Sequence, residues 1–136
     1  MSHFGPPVSA ATSNDPLRRM RAYQIAMDLL KTAWFDAKAL SADAPTLQMS
    51  GQLYAAIGSI LANIAEGYSR SSGTDRARFF EYALGSVRES ITWYEGARPV
   101  LGESVTTRLN DLEEIRRLLL AIIPRERATR ERLSKG

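Results

Sequence analysis

An all-α fold, an up-down-up-down antiparallel four-helix bundle, is what this sequence predicts, on three observations. Apolar residues recur at alternating steps of three and four along four stretches. No stretch alternates with period two, and runs of β-branched residues typical of strands are absent. Proline, glycine and serine punctuate the gaps, leaving connections short enough to make consecutive helices antiparallel neighbours.

The elements follow in order. Residues 1–14 mix Pro, Gly, Ser, Ala and Asn without an apolar period and read as a flexible tail. Asp15-Pro16 offers a capping carboxylate followed by proline at the first helical position, the start of a first helix. Its expected core stripe is Met20, Tyr23, Met27, Leu30, Trp34 and Ala37, and it ends between Ser41 and Pro45. A second helix begins near Thr46 with Leu53, Ile57, Ile60 and Ile64 inward, and is broken after Gly67 by Ser69-Arg70-Ser71-Ser72-Gly73. Ser72-Gly73-Thr74-Asp75 caps a third helix whose stripe is Phe80, Leu84, Val87, Ile91, Tyr94 and Leu101. Pro99 is expected to kink or end it near Arg98, Gly102 to stop it, and Ser104 to cap the next. The fourth stripe runs Val105, Leu109, Leu112, Ile115, Leu119 and Ile122, until Pro124 interrupts or closes the helix. The expected organisation is thus a tail (1–14), a bundle (15–124) and a basic C-terminal segment (125–136).

Composition narrows the chemistry. The chain has 136 residues, 44% hydrophobic and 24% charged, enough for one packed core. It has no cysteine, which removes disulfides, thiolate catalysis and thiolate metal sites. His3, the one histidine, sits in the tail, so a histidine-based metal or catalytic pocket in the bundle is excluded, a ferritin-like Glu-x-x-His site included. No cofactor and no metal are expected. No apolar stretch approaches a membrane span and no signal-peptide pattern opens the chain, so a cytoplasmic protein is expected.

The formal charge of +3 is local. Residues 1–124 hold 13 Lys/Arg and 13 Asp/Glu, whereas 125–136 hold Arg125, Arg127, Arg130, Arg132 and Lys135 against Glu126 and Glu131. That segment reads either as a solubilising tail or as a phosphate-contacting arm. In the expected bundle its end shares one pole with Arg18, Arg19 and Arg21 at the start of the first helix, and with Arg70, Arg76 and Arg78 around the second connection.

On the second helix Ala55, Ser59, Ala62, Asn63 and Glu66 form a small, polar strip, and small residues allow close helix approach. If the second and third helices fold back around Ser71-Ser72, positions summing to about 145 face each other. Glu66 then meets Arg78, Asn63 meets Tyr82 and Ser59 meets Ser86, as register-fixing contacts. An acid–base site built from Glu66, Asn63, Arg78 and Tyr82 is the competing reading, but it lacks a second carboxylate or a nucleophile–base pair. Trp34, Phe79, Phe80 and Tyr94 at helical spacing read as core or subunit-interface residues rather than base-stacking platforms. Trp93, off the stripe, is the expected subunit contact.

The blocks Ser59 to Gly67 (Ser-Ile-Leu-Ala-Asn-Ile-Ala-Glu-Gly) and Arg78 to Glu89, with Arg-Phe and Ala-Leu-Gly-Ser-Val-Arg-Glu, carry a resemblance. In order and spacing they resemble the bacterial four-helix-bundle family of proteins encoded by intervening sequences of large-subunit ribosomal RNA genes. The likeness covers residues 16–123, and Ser59, Asn63, Glu66, Gly67, Arg78, Tyr82, Gly85 and Ser86 fall in its blocks. The chain departs at Ala55, where the family usually has a basic residue, and at Leu61, where it usually has proline. The resemblance implies a ring-shaped homopentamer without assigned enzymatic activity. It also implies kinship with accessory subunits of reverse transcriptases that bind nucleic acid through basic surfaces. The expectation is therefore a non-enzymatic oligomer that binds RNA, or RNA together with a nucleic-acid enzyme such as a reverse transcriptase, through its Arg-rich pole. The alternative is a protein–protein scaffold or adaptor ring.

Overall fold

A computed structural model describes the backbone of residues 14–135 and the side chains of residues 14–129. Within them the chain forms four long helices and no strand: α1 (Arg21–Ser41), α2 (Leu47–Tyr68), α3 (Gly73–Gly96) and α4 (Ser104–Lys135). Neighbours pack α1 on α2, α2 on α3, α3 on α4, and α4 back on α1. The tail through residue 13, His3 included, lies outside the described residues, as do the side chains of Arg130, Arg132 and Lys135.

The start of the chain differs from expectation. Asp15 does cap, its Oδ1 accepting from the Leu17 amide at 3.0 Å, but the helix it starts is a 3-10 turn, Pro16–Arg19. Met20 then turns extended (φ −71°, ψ 121°) and α1 begins at Arg21. Gln24 secures the step, its Nε2 donating to the Arg18 carbonyl at 2.9 Å. Arg18 and Arg19 thus stand before α1 rather than within its first turn.

The α1 stripe is also rotated from the expected one. The buried residues are Ala22, Ile25, Ala26, Leu29, Ala33, Asp36 and Leu40. Met20, Tyr23, Met27 and Leu30 flank that face, half-buried against its edges, and Trp34 is 51% exposed. Alanines let the neighbouring helices approach closely, so the small side chains face inward and the large ones cover the margins.

The other helices bury most of their expected faces, with Ile91, Leu109 and Ile122 half-buried at the edges and Leu101 outside α3. Leu53, Ile57, Ile60 and Ile64 are buried in α2, Phe80, Leu84, Val87 and Tyr94 in α3, and Val105, Leu112, Ile115 and Leu119 in α4. Buried Thr46 ties the first connection, donating from Oγ1 to the Leu40 carbonyl at 2.6 Å. Ser72 caps α3 by accepting from the Asp75 amide at 3.1 Å. The third helix ends at Gly96, ahead of the expected point, and Pro99 sits inside a separate helical turn, Arg98–Leu101. Gly102 closes that turn at φ +62°, a conformation natural to glycine.

Pro124 neither interrupts nor closes α4, which continues to Lys135. Proline removes one backbone donor, for the carbonyl four residues back. That residue, Leu120, is 42% exposed and Pro124 faces solvent, where an unserved carbonyl costs least. Beyond it, Glu126 and Arg127 are held by Arg76 and Glu81 of α3. The basic segment therefore begins as a docked helix.

Candidate nucleic-acid interface

The α2–α3 hairpin forms around Ser71-Ser72, and one of the three expected pairs is present: Ser86 Oγ lies 2.9 Å from Ser59 Oγ. The other two are replaced by local partners. Asn63 Nδ2 donates to the Ser59 carbonyl at 2.9 Å and to Ser59 Oγ at 3.1 Å, not to Tyr82. Glu66 pairs with Arg70 one turn along, and Arg78 reaches Asp75 at 3.4 Å. The reason is reach: an i,i+4 or i,i+3 partner on the same helix is available without crossing the hairpin. Glu66, Asn63, Arg78 and Tyr82 thus do not converge on a common point.

Gly67 has a packing role that its spacing alone does not disclose. A Cβ there would lie 2.8 Å from Phe80 Cε1 and 3.1 Å from Phe79 Cβ. Gly67 lets α3 seat the buried Phe80 against the last turn of α2. Gly85, in contrast, has nothing within 4 Å of an added Cβ, so no contact within the chain explains it.

Next to Gly67, two arginines meet an aromatic side chain. The Arg70 Cζ lies 4.7 Å, and the Arg78 Cζ 5.1 Å, from the centroid of half-buried Phe79. Tyr82, 49% exposed, meets the same ring edge-on at 5.5 Å.

The other expected basic residues gather at this end. Arg76 donates from Nη1 to the carbonyls of Arg70 and Ser71, both at 3.0 Å, and from Nε to Glu126 at 2.5 Å. Met20, Tyr68, Arg76 and Glu126 share the wall of one cleft, and Met20, Arg21 and Arg125 that of another. Yet most of these charges are compensated: Arg21 by Glu114, Arg70 by Glu66, Arg76 by Glu126, Arg78 by Asp75 and Arg127 by Glu81. Among the described residues, Arg18, Arg19 and Arg125 make no ion pair.

Toward the opposite end lies a buried polar cluster absent from the sequence expectations. Asp36 Oδ2 accepts from Tyr94 Oη at 2.7 Å and from Arg108 Nε at 2.8 Å, while its Oδ1 accepts from Arg108 Nη2 at 3.2 Å. Burial, and then the bond to Asp36, push the Tyr94 phenol well above its ordinary range. The same carboxylate raises Arg108 further. Three helices are thereby pinned at one point. An aspartate on an otherwise apolar stripe is the signal that could have found it, once the stripe is placed at 22, 25/26, 29, 33, 36 and 40.

Trp93, the expected subunit contact, is less exposed than its position off the stripe implied. It is half-buried against the core, and its Nε1 donates to Glu89 at 3.1 Å. Among the described residues the exposed large apolar side chains are Trp34, Phe35 (70% exposed), Leu47, Tyr68, Tyr82 and Leu120, with Trp34 edge-on to Tyr54 at 5.8 Å. No described helix is long and apolar enough to cross a membrane.

Comparison with known proteins agrees with this architecture. A solved protein of unknown function from the S23 ribosomal protein family of Bacteroides thetaiotaomicron superposes with a TM-score of 0.69 at 26% identity, covering 75% of this chain and 97% of that one. No curated protein matches. The family model for the 23S rRNA-intervening sequence protein matches residues 18–121. That span takes in all of α1, α2 and α3 and most of α4, and the chain belongs to the 23S rRNA-intervening sequence protein family.

Proposed function

We propose that this protein is a non-enzymatic, homo-oligomeric RNA-binding accessory factor whose contacts to phosphate come from one Arg-rich pole. The helices run up-down-up-down. Antiparallel neighbours pair the start of one helix with the later part of the other, as α1 and α4 do in Arg21–Glu114 against Asp36–Arg108. The direction puts the start of α1, the α2–α3 connection and the far end of α4 together. The observation that carries the reading is the trio Arg18, Arg19 and Arg125. They lie at that pole without a carboxylate partner among the described residues, so their charge is available to a polyanion. The protein works in the cytoplasm on RNA, alone or beside a nucleic-acid enzyme such as a reverse transcriptase. In a ring of copies, with a pentamer as the expected form, the pole repeats and weak contacts add.

The test is equilibrium binding of a labelled, structured RNA across a salt series. Affinity that falls as salt rises supports the proposal, and absence of binding at low salt overturns it. A second reading, an adaptor ring that recruits protein, is favoured by exposed Trp34 and Phe35 on α1, because large apolar side chains left open to solvent can serve as protein contacts. It is distinguished by a partner complex that survives nuclease treatment and is lost on Trp34→Ala.

A further inference from the structure

The arginines of the pole fall into two kinds, and the difference assigns them different work. Arg18, Arg19 and Arg125 carry uncompensated charge among the described residues. Arg70 and Arg78 do not: the edge of each guanidinium is occupied by a carboxylate, Glu66 and Asp75 respectively. Both are nonetheless about half exposed, at 41% and 52% of the side chain. A guanidinium whose charge is neutralised at its edge has little left for phosphate, but it keeps a flat polarisable face. Both groups are ordered over Phe79, at 4.7 and 5.1 Å, and Tyr82 stands edge-on to the same ring with half of its surface open. Arg70, Arg78 and Tyr82 thus present planar groups to solvent around one half-buried phenyl ring, held there by carboxylates and packing before any ligand arrives.

Planar, pre-ordered guanidinium and phenol groups are the surfaces on which unpaired nucleobases stack. A duplex hides its base faces and offers only phosphate and groove edges. Resting on the proposal that the pole binds RNA, we infer that Arg70, Phe79, Arg78 and Tyr82 form a stacking platform for unpaired bases of single-stranded RNA. Arg18, Arg19 and Arg125 hold the adjacent backbone. Glu66 and Asp75 are positioning residues in this account, since they orient the two guanidinium planes. The preference is for a loop, bulge or strand end over an uninterrupted helix.

The two jobs separate experimentally, because stacking does not release counterions whereas phosphate contacts do. The full chain is titrated, by fluorescence anisotropy, into a labelled unstructured RNA of about a dozen nucleotides and into its duplex, each at several salt concentrations. The single strand is expected to bind more tightly. Tyr82→Ala, at an exposed position where folding is undisturbed, is expected to weaken single-strand binding about ten-fold. It should leave duplex affinity and both salt slopes unchanged, while Tyr82→Phe restores single-strand binding. Arg70→Lys, which keeps charge and loses the plane, should behave as Tyr82→Ala does. Equal affinity for strand and duplex overturns the platform while leaving RNA binding by the pole intact, and so does a Tyr82→Ala protein that binds like wild type. No binding to either RNA at low salt overturns the RNA proposal and the platform with it.

Discussion

Asp36 and Gly67 are two single residues on which the packing turns, for opposite reasons. Asp36 is a charged group on an apolar stripe, tolerable because Arg108 and Tyr94 spend their donors on it. Asp36→Ala strands a buried phenol and a mostly buried guanidinium, and is expected to cost about 2–4 kcal/mol in chemical denaturation. Tyr94 adds a pH dependence. Its folded-state pKa is raised, so its contribution is fully present below the unfolded pKa, near pH 10, and is lost as pH rises from there. Tyr94→Phe is expected to lower stability at pH 7 by about 1–2 kcal/mol and to flatten the loss above about pH 10, as read from unfolding curves at each pH. Gly67→Ala gains helix propensity but drives a methyl into a ring that is 1% exposed and cannot swing aside. A net loss of about 1–2 kcal/mol is expected. The resemblance singled out Gly67 as a block position; the ring that explains it comes from the next helix. Asp36 was hidden for a different reason, since its stripe was placed on the wrong face.

At the scale of elements, that misplacement is instructive. Large apolar side chains at Met20, Tyr23, Met27, Leu30 and Trp34 mimic a core stripe, yet the face that packs is rich in Ala22, Ala26 and Ala33. Size draws attention to the margin of an interface, whereas close approach demands small residues at its centre. In α2, α3 and α4 the inward residues are themselves large, and their periodicity located them correctly. Pro124 misled in a similar way: its local cost was legible, but the ion pairs from α3 that hold the following turns were not. Removing both anchors, with Arg76→Ala and Glu81→Ala, is expected to speed amide hydrogen exchange after Pro124 while the earlier turns of α4 keep their protection. Unchanged exchange after Pro124 would show that the segment holds itself.

The whole molecule combines a polar anchor deep in the helix packing, the proposed arginine-rich pole with exposed Tyr82 beside it, and exposed Trp34 and Phe35 on α1. The +3 that the composition assigned to residues 125–136 is redistributed by the fold. Arg127 is matched by Glu81, and Glu126 is consumed by Arg76, so among the described arginines of the candidate interface Arg18, Arg19 and Arg125 are the ones without an ion pair. Of the candidate interface, its arginines were legible in sequence; their pairing was not, because the partners of Arg21, Arg76 and Arg127 lie on other helices, while Arg70 and Arg78 take local carboxylates in place of cross-hairpin ones. Assembly belongs to this scale too. Multi-angle light scattering at micromolar concentration is expected to give a mass several times 15.1 kDa, and a monomer mass would remove the ring from the account. The most direct test of the central claim is the salt dependence of RNA binding by the Arg18→Ala/Arg19→Ala/Arg125→Ala protein. If these three hold phosphate, the slope of log affinity against log salt falls by about 2 relative to wild type, with weaker binding at every salt concentration. An unchanged slope and affinity would contradict the claim that these arginines form the RNA contact.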